Sequence, residues 1–472
     1  MSTPADRSLD IHLIAIGGTG MAPLACLLQA QGHRVQGSDG PVYPPMSTLL
    51  ADAGITPLEG FDPRHLEPRP DLVIVGNAVP RDNPEAVETE RLGVPRLSMP
   101  QALARFFLDD HRPLVIAGTH GKTTTTSLAA WVYSECRADP SYLVGGIPID
   151  LEKSFHTGRG ERFIIEGDEY NAAYFDRGPK FLHYRPHTLV LTSVEYDHAD
   201  LYPDHESLIV AYEKLVELLP ADGLLVACGD SQKVREVARR SPAPVVFYGL
   251  AADNHVHPEG EITADPSGCH FSIVDPAVGT ETISIQLHGE HNVANALAVW
   301  TVAQRDGLPV AEIKRALASF RGVKRRLEEV GTASGVTVID DFAHHPTAVA
   351  KTLAALRERF GERRLVVVYE PRTLTAGRRR FFEAYADAFS LADAAFFAPI
   401  YHSKRLDPED RLDLEALERR LRERGVEARR VETHEDILES VASELRPEDV
   451  VITMSSGDFG HLPQRLLALL RV

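Results

Sequence analysis

At 472 residues the chain exceeds what one ordinary core organises, and two or three domains are expected. Its 43% apolar and 25% charged content is that of a globular protein, and a net charge of −18 argues against a general binder of nucleic acid or of an anionic membrane, because either surface repels it on average. The four cysteines, Cys26, Cys136, Cys228 and Cys269, stand far apart with no CxxC or metal-like spacing and read as thiols in a reducing compartment. The opening stretch MSTPADRSLDIHLIAIGG has no basic segment ahead of its short apolar run, so no signal peptide and a cytoplasmic location are expected. No apolar run approaches the ~20 residues that span a bilayer.

Along the chain, short β-branched runs alternate with helical patterns, which is the signature of parallel α/β sheets. IHLIAIGG reads as a buried strand, MAPLACLLQAQGH as its helix, and RVQGSD and DLVIVGNAV as further strands. A second cycle runs through PLVIAGTHGKTTTTSLAAWVYSEC, RFIIEGDE, TLVLTSVEYDH and GLLVACGD. The stretch 245–288, with CHFSIVD and ETISIQL, reads as antiparallel decoration on this middle unit. A third cycle comprises GVTVIDDFAHHP, RLVVVYEPR, AAFFAPI and DVVITMSSGDFG. These cycles predict domains over 1–108, 109–325 and 326–472.

The chemistry concentrates at VIAGTHGKTTTT. A strand runs into Gly118, turns through Thr119, His120 and Gly121, and opens a helix at Lys122. Glycines let backbone N–H groups approach phosphate oxygens, and the helix N-terminus adds positive potential. Lys122 supplies a full charge for the β/γ-phosphates and the Thr123 hydroxyl suits Mg²⁺, with Thr124 next in the helix. GxxGKT is shorter than GxxxxGK[ST], which points away from GTPases and transport ATPases. FIIEGDEY brings Glu166, Asp168 and Glu169 to the end of the next strand, and SVEYDHAD brings Glu195, Asp197, His198 and Asp200 to the end of the one after. Ligands of open α/β sheets bind at these strand ends. Mg²⁺ prefers hard oxygen ligands, so His198 is open to either a metal or a hydrogen-bonding role.

GTHGKTTTT, EGDEY, VEYDHAD, GEHNVANALAV, GVKRRLE and DDFAHHPTAV, in that order, resemble the Mur ligases of peptidoglycan synthesis, over nearly the whole chain. VYPPMSTLL, YFDRGPKFLHYRP and YEPRTLT favour the members that serve murein recycling. The resemblance implies a three-domain Mur ligase architecture: a Rossmann-like N-terminal domain, a central P-loop ATPase domain and a Rossmann-like C-terminal domain. It implies a ligase that uses ATP and Mg²⁺ to join UDP-N-acetylmuramate, through an acyl phosphate, to the amine of L-alanyl-γ-D-glutamyl-meso-diaminopimelate. Lys122, Glu166 and His198 are then catalytic, with Thr123, Glu166 and His198 at the metal.

The same resemblance assigns His291, Asn292 and Asn295 to the nucleotide, the amides reading adenine; an ordinary capped helix would use those amides equally well. One of Arg325 and Arg326 reaches the phosphates, with Arg326 the candidate, and Asp341 and His344 contact ribose and phosphate. In the N-terminal turn IGGTGM, Gly18, Gly20 and Met21 cradle the UDP diphosphate, with Asp39 and Asn77 as further contacts. That turn is not GxGxxG, because Pro23 occupies the third glycine position. Arg372 of YEPRTLTAGRRRF reads from the residues alone as an exposed loop arginine; in the family's context it suits a peptide carboxylate. Arg378, Arg379 and Arg380 read as a solvated helix start.

Three departures stand out. Gly167 replaces a more usual alanine, the carbamylated-lysine position falls out of step near Glu213 and Lys214 so that no carbamate is assigned, and MSSGDFGHLP differs from an expected MSNGGFGG-like loop. The rivals are a UDP-N-acetylmuramate–L-alanine ligase, a nicotinamide-dependent oxidoreductase using the first glycine turn, and a regulatory protein that hydrolyses ATP slowly. The sequence leaves monomer and dimer open.

Overall fold

The computed structural model describes residues 8–151, 153–197, 201–202 and 204–471. Three α/β units follow one another, as expected. The first carries five parallel strands in the order Leu58–Glu59, Arg34–Asp39, Asp10–Ile14, Leu72–Val75, Arg96–Ser98. Leu72–Val75 is buried at every residue, because a parallel sheet is covered by helices on both faces and its inner strands are apolar throughout.

The central sheet has seven strands in the order Val245–Tyr248, Leu224–Cys228, Thr188–Leu191, Arg112–Ala117, Arg162–Gly167, Ser141–Leu143, Phe155–His156, and only the last pair is antiparallel. Arg112–Ala117 lies in the middle, with later strands added on both sides. The loops leaving the C-terminal ends of Arg112–Ala117, Arg162–Gly167 and Thr188–Leu191 therefore converge at a topological switch point. A three-stranded antiparallel sheet, His257–Asp265, Gly268–Asp275 and Gly279–Ile285, packs beside it. The expectation of antiparallel decoration over 245–288 holds for this sheet but fails at Val245–Tyr248. Those residues form the parallel edge of the main sheet, because the helix Gln232–Ala238 returns the chain for a βαβ crossover after Leu224–Cys228.

The third sheet has six strands in the order Glu328–Ala333, Val336–Asp341, Val450–Met454, Leu365–Tyr369, Ala394–Phe397, Glu427–Arg430, antiparallel only at the first pair. The residues leading into its hairpin edge bring Arg326 beside the phosphate loop. Among the described residues no helix is long and apolar enough to cross a membrane.

Candidate active site

Gly118 and Gly121 have φ of 133° and 81°, left-handed values that L side chains rarely adopt. A Cβ on Gly118 would press on Thr192 Oγ1 and sit 2.7 Å from Ser193 N, so the loop lies flat on the neighbouring strand's end only because this residue is glycine. The contact is held by Thr119 N donating to Ser193 O (3.1 Å), His120 N to Ser193 Oγ (2.9 Å) and Thr192 Oγ1 to His120 O (2.6 Å). Gly118→Ala is therefore expected to lower unfolding stability by about 3 kcal/mol, from backbone strain plus displaced backbone contacts. The midpoint of urea denaturation reads this loss directly.

Lys122 opens the helix Lys122–Glu135 and turns its ammonium back into the loop, donating to Gly118 O (2.6 Å) and to Glu169 Oε2 (3.0 Å). Burial works against its charge, but Glu169, Asp168 and Glu166 outweigh that effect and hold its pKa above the usual lysine range. Glu169 is itself 2% exposed. Sequence reading named Glu169 as one of three acids without giving it this partner.

Glu166 accepts from Thr123 Oγ1 at 2.9 Å and from Gly145 N at 2.6 Å. Burial, and then the charge of Asp168, push its carboxyl above the ordinary range. A hydroxyl and a buried carboxylate whose charge needs compensation are hard oxygen donors that fit Mg²⁺. His198, the third residue expected at the metal, lies outside the described residues. Thr124 is half-buried one position further along the helix.

From the C-terminal unit, Arg326 Nη2 donates to Thr123 Oγ1 at 3.2 Å while its guanidinium lies 4.6 Å from the centre of the Phe342 ring. Arg325 turns the other way, pairing with Asp340 at 3.3 Å and donating to Ser455 O at 2.8 Å. Of the two, Arg326 is the one at the phosphate loop. Asp341 accepts from Leu327 N (2.6 Å) and Ala343 N (2.7 Å), shaping the junction. His344 is anchored through its backbone, whose carbonyl accepts from Tyr369 and Tyr385 hydroxyls at 2.7 and 2.6 Å.

Asn292 and Asn295 share a buried face of helix Glu290–Arg305. Asn295 Nδ2 donates to Asn292 Oδ1 (3.1 Å), and Asn295 Oδ1 accepts from Thr125 Oγ1 (3.0 Å), tying this helix to the phosphate helix. His291 is half-buried; loss of solvent, and then the charge of Lys351, push its imidazole down to about 4, so it is neutral near pH 7. A cavity of about 690 Å³ opens between central and C-terminal units, lined among others by Leu287, His288, Asn292, Arg326, Glu328 and Arg359. Its walls bring Asn292 and Arg326 to one space.

In the N-terminal unit, Asp39 accepts from Gly17 N (2.8 Å) and Gly40 N (2.8 Å) across the sheet edge. Gly18 and Gly20 follow, and a Cβ on Gly20 would meet Met99 Cε at 2.7 Å. Met21 is buried and Asn77 exposed at the same edge. Gly17, which sequence reading passed over, is hemmed in on two sides, since a Cβ there would lie 2.8 Å from Val42 and 3.0 Å from Asp39. The doubled glycine in IGGTG was its signal.

Arg372 follows strand Leu365–Tyr369 with its guanidinium carbon 4.0 Å from the centre of the Tyr401 ring. A Cβ on Gly457 would overlap the guanidinium, so the side chain is sandwiched flat between ring and glycine. Its Nη1 reaches Glu370 at 3.4 Å and Asp458 at 3.2 Å. The departure noted at MSSGDFG thus places the Asp458 carboxylate on Arg372. Glu213 pairs with Arg240 at 3.4 Å, and Lys214 is exposed.

Three family models match the chain: Mur ligase family, catalytic domain, over residues 10–111; Mur ligase middle domain over 116–303; and Mur ligase, glutamate ligase domain, over 325–457. The chain is 37% identical to the Escherichia coli UDP-N-acetylmuramate–L-alanyl-γ-D-glutamyl-meso-2,6-diaminoheptandioate ligase, over 97% of this chain and 98% of that protein. It is 34% identical to the UDP-N-acetylmuramate–L-alanine ligase of Rubrobacter xylanophilus, over 98% and 100%. Its fold superposes on the crystal structure of a murein peptide ligase from Psychrobacter arcticus with a TM-score of 0.74 at 31% identity, covering 98% of this chain and 99% of that one. With a TM-score of 0.80, 26% identity and the same coverage, it also superposes on UDP-N-acetylmuramate-alanine ligase of Thermotoga maritima. The phosphate loop at the switch point, the junction arginine on Thr123 and these full-length matches lead to one family: the chain belongs to the Mur ligases and is an ATP-dependent ligase that forms an amide bond.

Proposed function

We propose that the chain joins the lactyl carboxylate of UDP-N-acetylmuramate to the amine of L-alanyl-γ-D-glutamyl-meso-diaminopimelate, releasing ADP and phosphate, in the reuse of murein peptide. In this reading residues 1–108 hold the UDP-sugar on the Gly17–Met21 turn and Asp39. Residues 109–325 hold ATP, and residues 326–472 close over it and present the peptide. Lys122 exchanges Glu169 for the γ-phosphate, and Arg326 adds a second cation from the opposite domain, so that negative charge is neutralised as the phosphoryl group passes to the carboxylate. Thr123 and Glu166, with His198, would hold Mg²⁺, which would supply further neutralisation when bound. The peptide amine then attacks the acyl phosphate carbonyl and phosphate leaves. His291, Asn292 and Asn295 line the nucleoside side, with Asp341 and His344 shaping the far wall.

The observation that carries the peptide half is Arg372: a guanidinium held flat between Tyr401 and Gly457, with two long ion-pair contacts that a substrate carboxylate can displace. Similarity to the relatives named for the tripeptide substrate supports the same choice. The test is ADP release with ATP, Mg²⁺ and UDP-N-acetylmuramate, comparing the tripeptide with free L-alanine. Turnover with the tripeptide and little with L-alanine is expected. Strong turnover with L-alanine would make the chain an L-alanine ligase, and turnover needing neither amine nor UDP-sugar would remove the ligase reading.

A further inference from the structure

The seam between the phosphate loop and the C-terminal domain holds a second cluster, whose three side chains the ligase reading leaves without a task. His120 lies in the loop, Glu195 follows strand Thr188–Leu191, and His345 caps helix Pro346–Phe360. His120 Nε2 stands 3.3 Å from Glu195 Oε2, and the His120 and His345 ring centres are 5.0 Å apart. Each of the three residues offers one ligand atom, and these atoms all lie within 4.8 Å of one another.

His345 is the informative member. Its Nδ1 accepts from Thr347 N at 3.4 Å, which completes the helix cap. Its Nε2 is buried and has no hydrogen-bond partner among the described residues, in a residue only 6% exposed. Leaving such an atom unpaired is unfavourable, and native proteins rarely do so without a reason. Two of the three ligands stand in the protonation state that a cation requires. Burial pushes the His345 imidazole down to about 4, leaving it neutral near pH 7. Glu195 is raised by burial, but its hydrogen bond and charge interaction with His120, and the hydroxyl of Thr347 at 2.7 Å, carry it down to about 2.

We propose that His120, Glu195 and His345 bind one transition-metal dication of the Zn²⁺ class, clasping the phosphate loop to the C-terminal domain. Two imidazoles and one carboxylate suit a borderline cation such as Zn²⁺ or Co²⁺, whereas Mg²⁺ takes oxygens. Tetrahedral Zn²⁺ sets its ligand atoms about 3.4 Å apart, so rotation of the two rings closes the cluster without moving the backbone far. Neither Thr123 nor Glu166 is among these residues, so this is not the Mg²⁺ site. The Thr347–Glu195 hydrogen bond already joins the two domains at this point, and the ion would reinforce an existing seam.

The test uses the full-length protein freed of metal with EDTA and needs no nucleotide or sugar. Calorimetry with ZnCl₂ is expected to give one tight equivalent per chain, and CoCl₂ a visible band of the four-coordinate type. His345→Asn keeps a side-chain oxygen to cap the helix while removing Nε2. It is expected to weaken Zn²⁺ roughly 100-fold or more and to abolish the cobalt band, with the metal-free melting temperature confirming the fold. Should that variant not fold, Glu195→Gln carries the same comparison. Zn²⁺ binding of unchanged affinity in the variant, or no tight equivalent in the parent protein, would overturn the proposal.

Discussion

Replacing Lys122 with alanine is expected to abolish ligation, by roughly 10³-fold or more in kcat, while UDP-N-acetylmuramate still binds. The lysine is largely withdrawn from solvent, its side chain 11% exposed, and its charge is kept mainly by carboxylates. ATP therefore meets an ammonium already oriented by Gly118 O and Glu169, and its transfer to the γ-phosphate needs only a small side-chain movement. The same arrangement predicts a stability loss. Without Lys122, Glu169, 2% exposed, loses the ammonium that offsets its charge, a loss that costs about 3 kcal/mol. Adding Glu169→Gln should recover most of that stability and none of the activity, separating folding from chemistry. Binding of the UDP-sugar, followed by calorimetry, should survive because the Gly17–Met21 turn belongs to a different sheet. Loss of that binding in a folded variant would refute the proposed division of labour between the first two domains.

Much of this site was legible because strand ends are legible. An apolar run that stops at Gly118, Glu166 or Leu191 announces the edge where ligands bind, and a helix start after Gly121 announces the phosphate loop. What stayed hidden were choices among neighbours. FIIEGDEY offers three acids, and which of them meets Lys122 depends on how the chain turns after Gly167; it is Glu169. DDFAHHP offers adjacent histidines that point in different directions. His344 serves through its carbonyl, while His345 faces His120, and nothing in the dipeptide distinguishes them. The i, i+3 spacing of Asn292 and Asn295 told of a shared face. Their partner Thr125 stands 170 positions from Asn295 and is known only from the packing of two helices. Val245–Tyr248 was misplaced for a similar reason, since a four-residue apolar run carries no sign of which neighbour it pairs with or in which direction.

Arg372→Ala is expected to raise the KM for the tripeptide roughly 10- to 100-fold, the range for losing one hydrogen bond to a charged group, with the KM values for ATP and UDP-N-acetylmuramate unchanged. Arg372→Lys should recover little. Lysine keeps the charge but has neither the planar fork that takes a carboxylate bidentately nor the flat face that fits between Tyr401 and Gly457. A purely structural arginine predicts a different pattern. Removing it would leave Glu370, 1% exposed, with Ser455 and His434 near its oxygens among the described residues, and would depress stability and all kinetic constants together. The two cases separate on steady-state kinetics with each substrate varied in turn. Asp458 gives the sign of the remaining term. Its carboxylate stands 3.2 Å from Arg372, where it competes with an incoming carboxylate, so Asp458→Asn should lower the tripeptide KM in the parent protein and leave it unchanged once Arg372 is gone. Equal effects of Asp458→Asn in both backgrounds would mean that the aspartate does not act through Arg372, and the arginine would lose its claim to read the peptide.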